Sequence, residues 1–479
     1  MKSLEPKALW SYFYEITQIP RPSKKEEKII AYLQEFGKKH QFETKTDQVG
    51  NILMSKPAAK GYENRNTVIL QAHMDMVCEK NSDVVFNFDT DAIQTYIDGD
   101  WLKTKGTTLG ADNGIGMAMM LAILASNEIP HPPLECLFTV DEETGLSGAF
   151  ALEKDFLTGK TLINLDSEDD GEIFVGCAGG IDTVGRFTYE TMPTPENYFA
   201  FEASIRGLKG GHSGDDIEKE RGNANKILSR FLWKLNKEAD LYLASFDGGN
   251  LRNAIPREAR AVGCVPFHDK EKLRVLFNIF MSEIENEKAK TEPDMKLSLE
   301  SCDMPSRVLN LKSSDTLLNM LYACPHGVAA MSMDVPGLVE TSTNLASVKM
   351  KENDIIEITT SQRSSIESAK YDIASQVEVV LALGGADVKR GDGYPGWKPN
   401  LNSSILKKAG ITYKKLFDED AKVRAIHAGL ECGLFLEKYP YLDMISIGPT
   451  MRDVHSPEER LSISATQKCF EWLCVILSD

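Results

Sequence analysis

Short apolar runs that end in polar clusters recur along this chain. Thr67-Val68-Ile69-Leu70 leads into Gln71-Ala72-His73-Met74-Asp75, and Leu134-Glu135-Cys136-Leu137-Phe138-Thr139-Val140 into Asp141-Glu142-Glu143-Thr144-Gly145. Thr161-Leu162-Ile163-Asn164-Leu165 leads into Asp166-Ser167-Glu168, and Met444-Ile445-Ser446-Ile447 runs through Gly448-Pro449-Thr450 to His455-Ser456-Pro457-Glu458-Glu459. Runs of this length, rich in β-branched residues, predict buried strands. Between them the period changes. Ile29, Ile30, Leu33 and Phe36 fall at helical spacing, and Ser23-Lys24-Lys25-Glu26 carries a capping-box signature that predicts a helix opening there and running through Phe36. The Met-, Ala- and Leu-rich stretch 116–125, preceded by Gly110-Ala111-Asp112-Asn113-Gly114, predicts a second helix.

Strands and helices alternate in this way to about residue 180, the pattern of an α/β sheet. Gly179-Gly180 and the segment Met192-Pro193-Thr194-Pro195 interrupt it. An α+β pattern follows, with strands over 199–205 and 355–360 and helices over 223–237 and 371–383. Gly384-Gly385 and the glycines of 391–396 mark the return. The expected organisation is therefore a first domain in two parts, 1–184 and 393–479, with 185–392 inserted between them.

Composition narrows the function. A composition of 42% hydrophobic and 26% charged residues is ordinary for a globular enzyme, and 479 residues suit two domains. Its net charge of −17 argues against nucleic acid or an anionic membrane as partner. No apolar run approaches the roughly 20 residues that span a bilayer. The N-terminal residues lack signal-peptide character. The nine cysteines are odd in number and contain no Cys-x-x-Cys pair, which fits reduced thiols in a cytoplasm. Of the eight histidines, His73, His212, His427 and His455 lie in motifs; His40, His131, His268 and His326 are assigned to surface or loop positions.

His73 and Asp75, two apart on a strand, project to one face. One can bind a metal while the other holds its imidazole in place. By itself His-x-Asp is also a common surface turn; its recurrence with four further ligand-rich clusters carries the inference. Ligands collect at the carboxyl ends of strands in open α/β sheets, and two His with several carboxylates suit zinc, manganese or cobalt.

The order His-x-Asp, Gly-Ala-Asp-Asn-Gly, Asp-Glu-Glu-x-Gly, Asp-Ser-Glu and a late His resembles the co-catalytic dizinc peptidases and deacylases, among them peptidase T, aminoacylase and carnosinase-type enzymes. Ile19-Pro20-Arg21-Pro22-Ser23, Gly210-Gly211-His212-Ser213-Gly214, Asn253-Ala254-Ile255-Pro256-Arg257 and Gly393-Tyr394-Pro395-Gly396-Trp397 are similar to segments of the bacterial aminoacyl-histidine dipeptidases (peptidase D). The resemblance runs from about residue 5 to the end. It implies an α/β, dizinc-exopeptidase-like catalytic domain with an inserted α+β lid domain.

Carried over by position, the resemblance makes Asp112 the bridge between two divalent ions, Zn2+ or alternatively Co2+ or Mn2+. His73 and Asp166 complete one metal, Glu143 and His455 the other. Asp75 orients His73, and Glu142 is the general base of an amide hydrolysis by water activated between the metals. A cis peptide is implied at Asp112-Asn113. His212 is implied as the lid residue that stabilises the oxyanion, with Asn253 and Arg363 holding the substrate backbone and C-terminal carboxylate. Arg suits that role because its fork is bidentate. His427 is either a pocket residue of the first domain or a helix cap, and Gly429 would admit a ligand close to the backbone. The implied substrates are small unblocked dipeptides, Xaa-His among them, and the implied assembly is a cytoplasmic homodimer joined through the lid. An N-acyl-amino-acid amidohydrolase using the same metals is the alternative at this stage.

Overall fold

The structure is a computed structural model that describes residues 1 and 3–479. It divides into two compact units: residues 1–177, 397–425 and 430–479 form the first, residues 178–396 and 426–429 the second.

The first unit is built on an eight-stranded sheet. Its order is Glu43–Thr46, Ile52–Lys56, Leu134–Thr139, Val68–His73, Thr161–Asn164, Asp443–Ser446, Glu172–Cys177, Lys422–Ile426. The four apolar runs singled out in the sequence are its central strands. They are mutually parallel, so the polar cluster after each run emerges at the same edge. Burial on both faces explains why they read as continuous apolar stretches instead of alternating ones. The helix Ala111–Ala125 is buried from residue 113 to residue 124. It packs on Val68–His73 on one side and on the helix Lys7–Thr17 on the other, which is why it is hydrophobic all round. Trp10, Phe13, Leu70, Met119, Phe138 and Trp472 share this core.

The expected capping box at Ser23 does not form. The helix spans Glu27–His40, with Glu26 at its cap position and no side-chain cap bond. Ser23 Oγ instead donates to Asp75 Oδ2 at 2.8 Å. Glu26 Oε1 accepts from Lys24 N at 2.9 Å and Asp141 N at 3.0 Å. Both residues are recruited by buried partners distant in sequence, which outbid the local cap.

The second unit centres on a nine-stranded sheet in which every described pairing is antiparallel. The order is Lys296–Ser301, Tyr198–Arg206, Ala259–Pro266, Tyr242–Gly248, Val339–Lys351, Ile355–Ser364, Gly179–Thr188, Asp387–Arg390, with Gly327–Met331 paired to Val339–Lys351. Phe201, Ala203 and Ile205 alternate inward from Tyr198–Arg206 to a core shared with the helices Ala224–Asn236, Lys270–Lys288, Leu311–Ala323 and Glu367–Leu383. Asn223 caps the first of these through Lys226 N, and Asn310 caps the third through Ser313 N.

Residues 426–429 depart from the expected division, which placed His427 and Gly429 with the first domain. They belong to the second unit because Ala178 N donates to the carbonyls of Ile426 (3.1 Å) and Ala428 (3.0 Å).

Candidate dimetal active site

At the shared edge of the parallel strands, His73 is the last residue of its strand and only 1% exposed. Its Nε2 lies 2.9 Å from Asp112 Oδ1 and 3.3 Å from Asp166 Oδ1. The other oxygen of Asp112, Oδ2, lies 3.1 Å from His455 Nε2, which is itself 3.0 Å from Glu143 Oε2. Two ligand-like sets, His73–Asp112–Asp166 and Asp112–Glu143–His455, thus share Asp112, one oxygen facing each. The Asp112-Asn113 peptide is cis. Glu142 and Glu143 both come within metal-sharing distance of His73, but among the described residues only Glu143 pairs with His455.

Asp75 lies beneath this layer, fully buried. Its Oδ1 accepts from Glu142 N at 3.0 Å and its Oδ2 from Glu143 N at 3.2 Å. Oδ1 also stands 3.3 Å from His73 Nδ1. The carboxylate therefore fixes the turn that carries the two glutamates. Asn113 completes the layer, its Nδ2 donating to Asp166 Oδ1 at 2.6 Å.

Crowding shifts the ionisation of His73, His455, Asp166 and Glu142. Burial alone would lower the His73 pKa, but Asp166, Asp112 and Asp75 raise it well above the ordinary imidazole value. For His455 burial again opposes, while Asp112 and Glu143 raise its pKa to about 11. Burial, with Asp112 and Glu143 nearby, lifts Asp166 to about 6 although His73 pulls it down. Glu142 is pushed up by burial first, then by Asp166, Glu143 and Glu431, against the pull of His73.

The second unit gathers another polar group. His212 Nδ1 accepts from Gly214 N and Asp215 N, both at 3.3 Å. Its Nδ1 also lies 3.5 Å from Asp215 Oδ2, and its Nε2 lies 3.4 Å from Arg363 Nη2. Arg363 is 7% exposed, donates through Nη1 to Tyr394 Oη at 2.9 Å, and leaves Nε buried without a partner. No carboxylate among the described residues pairs with it. Asn253 is exposed, in the loop whose carbonyl accepts from Ser213 N at 2.8 Å. His427 is no helix cap: it is 5% exposed and its Nε2 is 2.7 Å from Ser342 Oγ. Burial first, then Arg363, lower its pKa to about 3, so it stays neutral. A Cβ on Gly429 would come within 2.8 Å of Tyr394 Cε2. The space at Gly429 is thus taken by the Tyr394 ring and not left for a ligand.

The sequence profile of peptidase family M20/M25/M40 matches residues 69–479. The chain belongs to that family. The cytosol non-specific dipeptidase of Escherichia coli K12 is 45% identical to this M20 peptidase over 479 residues, all of this chain and 99% of the relative. The crystal structure of an aminoacylhistidine dipeptidase from Vibrio alginolyticus is 43% identical, with a TM-score of 0.92 over 99% of this chain and 97% of that one. Aminopeptidase PepT of Bacillus cereus, at 18% identity and a TM-score of 0.58, shares the fold.

Several groups that support the site in this M20 peptidase escaped the sequence reading. Arg21, 2% exposed, donates through Nη1 to the carbonyls of Met74 (3.0 Å) and Asp75 (2.6 Å) and through Nη2 to that of Gly110. Glu431, fully buried, accepts from Gln71 Nε2 at 2.6 Å and Thr139 Oγ1 at 2.9 Å. Glu459 was visible only as one of two adjacent glutamates after His455. The motif Ile19-Pro20-Arg21-Pro22-Ser23 offered the one usable signal, a charged residue flanked by prolines. His131, assigned to a surface or loop position, lies in a loop but is 2% exposed, its Nδ1 2.7 Å from the Pro132 carbonyl.

The donor set fits two divalent cations: imidazole and carboxylate oxygens in two sets, with Glu143 Oε1 buried and otherwise unpartnered. Cations taking His73 and His455 nitrogens must displace the protons that the surrounding carboxylates hold there. Calorimetric titration of the metal-stripped protein with Mn2+ at pH 7.5, in buffers of different ionisation enthalpy, should therefore report net proton release. The same heat in every buffer would contradict the ionisation assigned to these histidines.

Proposed function

We propose that this M20 peptidase is a cytoplasmic, metal-dependent dipeptidase that hydrolyses unblocked dipeptides, Xaa-His among them. The observation that carries the reading is Asp112, whose two oxygens each face a different histidine–carboxylate set. The two full-length relatives, both named as dipeptidases, support it. Their names differ in breadth. No group among the described residues selects an imidazole on physical grounds, so the reading is a broad dipeptidase.

His73, Asp112 and Asp166 would hold one ion and Asp112, Glu143 and His455 the other, with zinc first and cobalt or manganese as alternatives. Such a pair supplies a nucleophilic water near neutral pH and polarises the scissile carbonyl. Glu142, held by its backbone to Asp75 and unpaired with His455, would take the proton of the attacking water and pass it to the leaving amine. Its burial among carboxylates, which raises its proton affinity, suits a base that must hold a proton and return it. In the second unit, Arg363 would take the C-terminal carboxylate, and His212 would face the oxyanion. Asn253 would contact the substrate backbone. His427 would help to set the pocket through Ser342. A homodimer joined through the second unit belongs to the same reading. The cytoplasmic setting is supported by the cysteines, all free, and by the relative's name. No helix among the described residues is long and apolar enough to cross a membrane.

The deciding experiment restores metal-stripped protein with zinc, manganese or cobalt and offers β-Ala-His, Gly-His, Ala-Ala, a tripeptide and an N-acetyl amino acid. Metal-dependent cleavage of the dipeptides alone is expected. Cleavage of only the acyl compound would make the enzyme a deacylase.

Glu142→Ala should lower kcat by at least about 100-fold, the scale of a general base, while metal content by elemental analysis stays at the wild-type level. Loss of metal would exchange the roles of Glu142 and Glu143. Arg363→Ala should raise KM for free dipeptides by about 10-fold or more, the loss of a charge-assisted pair, with little change for C-terminally amidated ones. An equal effect on both would remove Arg363 from carboxylate binding.

A further inference from the structure

We propose that Glu459 is a positioning residue for the bridging carboxylate, and that it sets metal affinity by holding the backbone turn that carries Asp112. The inference rests on the dimetal reading and goes beyond it. Glu459 is 2% exposed. Its Oε2 accepts from Leu109 N at 2.7 Å and Gly110 N at 3.0 Å, and its Oε1 from Ala111 N at 2.8 Å, with Asp112 N a longer 3.4 Å away. These amides lead into Asp112 and Asn113, whose backbone is non-helical, so they sit in a turn ahead of the regular helix. A carboxylate there gives buried N–H groups of the turn an acceptor.

The same turn is gripped from its other side. Arg21 Nη2 donates to the Gly110 carbonyl, while Nη1 donates to that of Asp75 at 2.6 Å. A Cβ would lie 2.6 Å from Arg21 Nη2 if built on Gly110 and 2.7 Å if built on Gly114. Both glycines of Gly110-Ala111-Asp112-Asn113-Gly114 are therefore needed to admit the guanidinium.

Each grip joins two ligand-bearing segments. Glu459 stands four residues beyond His455, so it ties the His455 loop to the Asp112 turn. Arg21 ties that turn to the segment of His73 and Asp75. A shift of the turn would move both oxygens of Asp112 relative to both histidines at once, so both metals depend on it.

Glu459→Gln tests this, because its amide presents an NH2 donor to amides that also donate. Competition with a chromophoric chelator should show Mn2+ and Zn2+ dissociation constants raised about 10–100-fold, the usual effect of removing a partner behind a ligand. Glu459→Asp, which keeps the charge on a shorter stem, should lose less. Glu135→Gln is the control. Glu135 is 5% exposed and accepts from Thr158 N and Gly159 N, both at 3.0 Å, at the opposite end of the strand Leu134–Thr139. It should lower the unfolding midpoint and leave metal affinity unchanged. Wild-type affinity in Glu459→Gln, with two ions bound by the parent, would overturn the proposal alone. Equal weakening by Glu135→Gln would do the same, by reducing the effect to general destabilisation. A parent protein that binds no divalent ion would overturn this proposal together with the dimetal reading.

Discussion

Like charge crowded at the ends of four parallel strands sets the terms for everything around it. Asp75, Asp112, Glu142, Glu143 and Asp166 converge with two histidines, of which His73 is buried and His455 half exposed. Buried carboxylates repel one another and are costly to desolvate, so each needs a cation, a hydrogen-bond donor or a proton. The fold supplies all three. Imidazoles stand between the carboxylates, backbone amides of the Glu142–Glu143 turn point at Asp75, and Arg21 puts a permanent positive charge beside Asp75, Glu459 and Asp112. What the protein leaves uncompensated is the charge that two divalent ions would balance.

The second unit solves the opposite problem. Arg363 is buried, and its Nη1 donates to a phenol oxygen, Tyr394 Oη. A phenol oxygen orients the guanidinium without cancelling its charge, whereas a carboxylate would orient and neutralise together. Tyr394 is itself held in place: a Cβ at Gly180 or Gly429 would overlap its ring, and buried Lys370 donates to its carbonyl at 2.7 Å. Ring, guanidinium and His212 are thereby held as one preset polar group.

Much of this was legible in the sequence, because strand ends announce themselves. An apolar run followed by His-x-Asp or Asp-Glu-Glu fixes both the element and the residue at its edge, and parallel pairing brings the edges together. Harder to read was any partnership between a side chain and distant backbone. Ser23 and Glu26 carry a helix-start signature, yet their oxygens serve Asp75 and Asp141. Arg21 and Glu459 look like surface charges in one dimension and are almost fully buried in three. Periodicity reports which face of an element is apolar; it does not say which carbonyl a guanidinium will meet. Residues 426–429 were misplaced for the same reason, since two hydrogen bonds from Ala178 decide their allegiance.

The insertion also imposes an order on assembly. A ribosome that has released the first unit's opening segment, residues 1–177, has already delivered the whole His73–Asp112–Asp166 set together with Glu143. His455 waits until the inserted unit has been translated. So does the strand Asp443–Ser446, which enters the sheet between Thr161–Asn164 and Glu172–Cys177. During synthesis one cation set is therefore complete in composition while the other lacks its imidazole and the sheet beneath lacks an inner strand. Glu459, which holds the Asp112 turn, is translated with His455 after the inserted unit, so the second set and that grip on the turn are completed together.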